Sequence, residues 1–112
     1  MHYLAGPYRG SVRANIRQAE YWAVECAKRG IFFICPHLNT AFMSEGSTPD
    51  APPEFWLNMD KHLLVKCEIV LALPGWKQSA GAREEVELAG RMGIPCHEIE
   101  TYLRWWEGEH ED

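Results

Sequence analysis

Two glycine-bearing loops and three carboxylates hold most of the residues in this sequence that are able to do chemistry. The first loop, Gly6-Pro7-Tyr8-Arg9-Gly10-Ser11, combines small residues that permit close backbone approach, the guanidinium of Arg9 and the hydroxyl of Ser11. It precedes a helix N-terminus, where free N–H groups and the helix dipole favour an anion, so a phosphate suits it. The same residues also suit a plain strand-to-helix turn whose glycines take positive φ. The second loop runs from Pro74 and Gly75 through Ser79 and Gly81 to Glu84 and Glu85. Ser79 opens a helix there, and the two glutamates follow one to two turns later. A carboxylate in the first turns of a helix is held as the anion by the dipole. A nucleophile needs that state and a general acid does not, although helix-capping electrostatics accounts for such acids equally well. Adjacent helical residues point about 100° apart, so only one of Glu84 and Glu85 can face a cleft. Asp60 lies on another helix beside its apolar stripe, and by composition alone reads as an exposed charge near Lys61. Arg13 and Arg17 continue from Arg9 at four-residue spacing, the pattern of a solvated helix face.

The elements that must position these groups follow from periodicity. His2 to Ala5 forms a short apolar strand that ends at Gly6-Pro7. Ser11 is expected to cap a helix running to about Arg29, with Ile16, Ala19, Ala23 and Cys26 as its buried stripe and Gly30 as its stop. Ile31 to Cys35 is a continuous apolar run, expected as a strand covered on both faces. A long polar loop from His37 to Ala51 follows, of a length that is often functional. Pro52-Pro53 open a second helix with Phe55, Met59 and Leu63 on its inner side. Ile69 to Leu73 is the third strand, broken by Pro74-Gly75. Ser79 caps a third helix that reaches about Met92 before Gly93, and Ile94 to Ile99 reads as the fourth strand. Residues 100–112 form a short amphipathic helix to Trp106 and an acidic end. Strands and helices in alternation imply a single α/β domain over residues 1–112, a Rossmann- or flavodoxin-like three-layer sandwich. Its parallel sheet has four strands in the order 2-1-3-4. Ligands of such sheets bind at the carboxyl ends of the strands where the winding reverses, here between strands one and three. The two glycine-bearing loops meet at that point.

Composition narrows the function classes. The 112 residues suit one hydrophobic core, and 46% apolar with 24% charged residues is an ordinary globular balance. A net charge of −5 argues against a nucleic acid polymer as partner but leaves room for a small phosphorylated ligand. No run approaches the ~20 apolar residues that span a bilayer, so no membrane partner is expected. The N-terminus has no basic segment followed by an apolar one and a cleavage site, and a cytoplasmic location is expected. Cys26, Cys35, Cys67 and Cys96 are scattered among apolar residues and read as buried thiols. Pairing Cys35 with His37 and Cys96 with His97 around zinc lacks the tight spacing of structural zinc sites, and no metal is expected. Tyr102, Trp105 and Trp106 are too apolar for a frayed tail and mark a surface for self-association, or else pack on the domain's own sheet.

Three segments carry a resemblance to a known family. Tyr-Leu-Ala-Gly-Pro-Tyr-Arg-Gly from Tyr3, Asp60 with Glu-Ile-Val-Leu-Ala-Leu-Pro-Gly-Trp from Glu68, and Ser-Ala-Gly-Ala-x-x-Glu from Ser79 resemble the nucleoside 2-deoxyribosyltransferase superfamily. The similarity is greatest to its small members and to the related 2′-deoxynucleoside 5′-monophosphate N-glycosidases. It spans roughly residues 2–95. The resemblance implies that Glu85, in register with the family's Ser-x-Gly segment, is a covalent nucleophile, with Ala89 at the family's small helix position. Asp60, eight residues before Glu68, matches an aspartate that contacts the departing base. Tyr3 matches a tyrosine that orients the nucleophile. Gly6, Arg9, Gly10 and Ser79, with Ser11 and Gly81 beside them, fall where substrate and 5′-phosphate are held. The chain is shorter at its C-terminus than the best-studied members, whose neighbouring subunit reaches into the site there, and its Pro-His-Leu-Asn-Thr loop differs from theirs. The implied reaction is retaining cleavage or exchange of an N-glycosidic bond through a glycosyl-enzyme intermediate, with no cofactor, in a homo-oligomer. Two other classes fit parts of the sequence. One is a nucleotide-binding module without catalysis. The other is a ribonucleotide phosphoribohydrolase, whose Pro-Gly-Gly-x-Gly-Thr-x-x-Glu motif is matched less well, because five residues separate Gly75 from Gly81.

Overall fold

The computed structural model describes residues 1–8, 10–39 and 53–110. Four strands, β1 (His2–Ala5), β2 (Phe33–Ile34), β3 (Ile69–Ala72) and β4 (Cys96–Glu98), form one parallel sheet in the order β2-β1-β3-β4. Among the described residues five helices accompany them: α1 (Val12–Lys28), α2 (Pro36–Asn39), α3 (Pro53–Leu64), α4 (Ala80–Arg91) and α5 (Ile99–His110), with a 3-10 turn at Trp76–Gln78. The expected fold class and strand order are therefore those of the structure. β1 and β3 lie at the centre, in register from His2↔Ile69 to Ala5↔Ala72.

The period-2 alternation of the central strands sorts the core into two layers. Leu4, Leu71 and Leu73 face α1 and α5, meeting Ala19, Ala23 and Cys26 from the first and Ile99, Tyr102 and Leu103 from the second. Tyr3, Ala5 and Val70 face the opposite side, where Leu64, Cys67 and Ala89 cover them. Small residues on the inner faces of α1 and α4 let both helices sit close to the sheet. The sheet is thus covered on both faces, as parallel sheets are.

Several local expectations are corrected. β2 is an edge strand, paired among the described residues with β1 alone, and is two residues long; Phe32 is 79% exposed while Phe33 and Ile34 are half-buried. An apolar run at an edge has neighbours on one side only, and its first residue escapes the core. The Ser11 side chain makes no capping bond to α1, because φ −80° and ψ 76° lie outside the extended conformation that aims a cap oxygen at the first free N–H groups. Phe55 is half-exposed and not on the inner side of α3; Leu64 at the helix end fills that core. Cys96 is half-buried, whereas Cys26, Cys35 and Cys67 are buried, and none of the four is in a disulfide. The chain turns into α5 at Ile99, so β4 is shorter than the apolar run predicts, and α5 extends past Trp106 to His110. Of the expected polar loop, residues 36–39 form α2, and residues 40–51 lie outside the described ones.

Gly6 sets how closely the two central strands converge at their carboxyl ends. It is buried, and a Cβ placed there would lie 2.8 Å from both Cβ and Cδ1 of Leu73, whose own N–H donates to the Ala5 carbonyl at 2.7 Å. Gly6→Ala is expected to destabilise the fold by about 1–3 kcal/mol, as overpacked cores do. The combination with Leu73→Ala should lose less than the sum of the two single changes, measured by urea denaturation.

Candidate active site

The two glycine-bearing loops converge at the carboxyl ends of β1 and β3. A Cβ on Gly75 would meet Cγ of Pro7 at 3.4 Å, and Gly75 takes φ +87°, which few residues other than glycine adopt. Gln18 on α1 donates to the Pro74 carbonyl at 2.7 Å, and Asn15 donates to the Tyr8 carbonyl at 3.0 Å, so one helix tethers both loops. Beyond the 3-10 turn, the Ser79 hydroxyl accepts from the Ala82 N–H at 3.2 Å and caps α4. Arg83 steadies the same loop from the next turn by donating to the Lys77 carbonyl at 2.6 Å.

The inward stripe of α4 is Ala82, Glu85 and Ala89. A carboxyl group therefore occupies a core position between two alanines, and Glu85 is only 6% exposed. The hydroxyl of Tyr3, itself fully buried on β1, donates a hydrogen bond to Oε2 of Glu85. Asp60 on α3 completes the cluster. It acts electrostatically on both Tyr3 and Glu85, and its Oδ1 is buried with no hydrogen-bond partner among the described residues. The three catalytic candidates are thus brought together by three different elements.

Burial governs where the proton sits. It pushes Glu85 up to about 8, with the negative charge of Asp60 adding to the effect and the Tyr3 hydroxyl and Lys61 opposing it. Burial alone pushes Asp60 up to about 6. Tyr3 is pushed far above the ordinary phenol range by burial and by the charge of Glu85, so it stays a donor. Both carboxyls are thus harder to ionise than ordinary ones, Glu85 more so than Asp60. Burial thus acts against the helix dipole, which was expected to hold Glu85 as the anion. The dipole acts over the first turn, whereas Glu85 lies in the second and is surrounded by core.

The phosphate-binding candidates are less gathered. Gly6 owes its place to Leu73, as described above. Gly10 is exposed with φ +95° and open space around it, as a plain turn requires. Ser11 is exposed at the start of α1. Gly81 stands in the first turn of α4, and nothing would obstruct a Cβ there. Arg9 lies outside the described residues. A cavity of about 260 Å³ opens at the carboxyl ends of β3 and β4, bordered by Trp76, Lys77, Glu98 and Glu100. It does not reach Tyr3, Asp60 or Glu85, and its own two carboxylates are exposed. The displaced protonation of the buried cluster marks that cluster, and not this cavity, as the candidate active site. Among the described residues no group of three or more His, Cys, Asp and Glu is placed to hold a metal, and the side chain of His37 falls outside them.

One contact escaped the sequence. Lys61 Nζ lies 3.1 Å from Glu84 Oε2, an ion pair that joins α3 to α4. Glu84 does leave its helix on a different face from Glu85, and that face looks toward α3. The adjacent pairs Asp60-Lys61 and Glu84-Glu85 were the available signal.

Fold and site together define a parallel α/β domain with a buried tyrosine–carboxyl cluster beside its topological switch point. The chain belongs to the family described as Domain of unknown function (DUF7768), whose model matches residues 1–99. The match ends as α5 begins. No curated protein matches the sequence.

The raised carboxyls make stability depend on pH with a definite sign. Both folded-state values lie above the ordinary ones of 3.8 for Asp60 and 4.5 for Glu85. The unfolded chain therefore loses these protons first as pH rises, and stability present at low pH is lost as pH rises to about 6 for Asp60 and about 8 for Glu85. The urea midpoint is expected to fall between about pH 5 and pH 8, and Glu85→Gln should flatten that decline. An equal slope in the variant would show that Glu85 titrates normally.

Proposed function

We propose that this protein cleaves or transfers the N-glycosidic bond of a nucleoside or nucleoside 5′-monophosphate through a covalent glycosyl-enzyme intermediate. The observation that carries this reading is the hydrogen bond from the buried Tyr3 hydroxyl to Glu85 with Asp60 beside it. The resemblance to the nucleoside 2-deoxyribosyltransferase superfamily supplies the reaction class.

Both carboxyls are raised and Glu85 is the higher, so a single proton on the pair near neutral pH suits this chemistry. As positive charge develops at C1′ of the sugar, the anion becomes favourable on Glu85, and the shared proton is available on the Asp60 side. The C1′–N bond breaks, a bond forms between Glu85 and C1′, and the base departs with the proton delivered by Asp60. Water then attacks C1′ and gives its proton to Asp60, which frees Glu85; a second base in place of water gives exchange. Tyr3 holds the Glu85 rotamer and bears part of its charge. The phosphate of a monophosphate falls to loop one, with Arg9, Gly10 and Ser11, and to Ser79 and Gly81 at the start of α4, where the helix N-terminus favours an anion. The ligand is a small molecule and not a nucleic acid polymer. Four cysteines without a disulfide suit a reducing cytoplasmic location.

Incubation with a panel of nucleosides and monophosphates, with released base followed by chromatography, tests the reaction. Base release is expected from at least one of them and is expected to be abolished in Glu85→Ala. The active form holds one proton in the pair, so kcat/KM should be bell-shaped, rising through about 6 and falling through about 8. Monophosphate binding without any base release would instead identify a nucleotide-binding module.

The assembly proposed is a homo-oligomer that buries the outer face of α5. Tyr102 and Trp106 pack on the domain's own core, which leaves Trp105, 52% exposed, as the support for this surface. Light scattering at micromolar concentration is expected to give a multiple of the chain mass, reduced in Trp105→Glu. A monomeric mass would remove the oligomer from the proposal.

A further inference from the structure

Lys61 and Glu84 stand one residue from Asp60 and Glu85 respectively, on two helices that pack together without a direct connection between Asp60 and Glu85. Asp60 and Glu85 are like-charged when both ionised, and nothing in their own chemistry draws them together. An attractive contact in the adjacent register, with Nζ and Oε2 3.1 Å apart, joins α3 to α4 beside the two acids. Lys61 is about one-third exposed and Glu84 half exposed, so the pair forms the solvent-side border of the buried cluster. We propose that the Lys61–Glu84 ion pair is a positioning clasp, which fixes Asp60 opposite Glu85 and keeps the Lys61 ammonium directed at the cluster.

The charged and titratable groups facing Glu85 among the described residues come from every element around it. They are Tyr3 from β1, Asp60 and Lys61 from α3, and Glu84 from its own helix. Lys61 acts on Glu85 more strongly than Glu84 does, and in the opposite sense. The clasp therefore has a signature that mere proximity of charge lacks. If Glu84 is only a nearby negative charge, removing it makes Glu85 easier to ionise. If Glu84 holds Lys61 in place, removing it releases the larger favourable influence into solvent, and Glu85 becomes harder to ionise. As a device for catalysis the clasp rests on the reaction proposed above; as a structural and electrostatic device it does not.

The test is a carbon-13 NMR titration of the side-chain carboxyl carbons in the ligand-free chain, which needs no substrate. Lys61→Met and Glu84→Gln are each expected to raise the Glu85 midpoint, by about half a pH unit or more, a readable fraction of the interaction between neighbouring charges. A Glu85 midpoint unmoved by Lys61→Met, or lowered by Glu84→Gln, overturns the clasp. Midpoints that move as expected while no base is released from any nucleoside sustain the clasp and overturn the glycosidase function. Base release with unmoved midpoints does the reverse.

Discussion

The burial of one carboxyl group among alanines is the constraint on which the rest of this structure depends. Glu85 sits between Ala82 and Ala89 on the face of α4 that meets the sheet, a place where a charge is unfavourable unless it is neutralised or satisfied. The fold answers with a hydroxyl from the central strand and with a raised affinity for a proton. Tyr3 reaches Glu85 only because β1 runs through the middle of the sheet and turns that side chain toward α4. The small residues of the stripe let the helix come near enough for the two to meet. Packing and protonation are thus one problem here: a looser α4 would leave Glu85 wet and ordinary.

Asp60 makes the arrangement asymmetric. Its burial is shallower than that of Glu85, and the two acids are raised to different degrees. Two carboxyls with separated values can hold a single proton over a window of pH, and environments that push two acids apart are the usual means by which one fold performs both acid and base roles. The separation arises from geometry: Glu85 faces the sheet, whereas Asp60 stands at the α3 border near solvent and Lys61.

Much of this was legible in the sequence, for identifiable reasons. Strand order followed from the alternation of strands and helices together with the handedness of crossovers, both of which are local or generic. Tyr3, Asp60 and Glu85 were found through their register with a family pattern, which says nothing of how deeply each is buried. What the dipole argument missed was how that burial would act on its charge, because desolvation depends on everything packed around the group. The extent of β2 was illegible because an apolar run reads alike in the centre and at the edge of a sheet. The glycines looked equivalent and are not: Gly6 makes room for Leu73, while Gly10 and Gly75 serve φ. The Lys61–Glu84 contact joins two helices whose relative offset no local pattern encodes.

The central place of β1 also governs the order in which the chain can acquire structure. His2 pairs on one side with Phe33 and on the other with Ile69, so the first strand made is flanked by partners made much later. No hairpin in the sheet can form early and serve as a template, since all the pairings are parallel and span crossovers. During synthesis the first four strand residues and α1 must wait until β3 has left the ribosome before the sheet has a centre. Such non-local topologies fold slowly for their size, because loop closure precedes the contacts that reward it. Shortness is the compensating feature: a strand of four residues, His-Tyr-Leu-Ala, offers little surface for wrong partners during that interval.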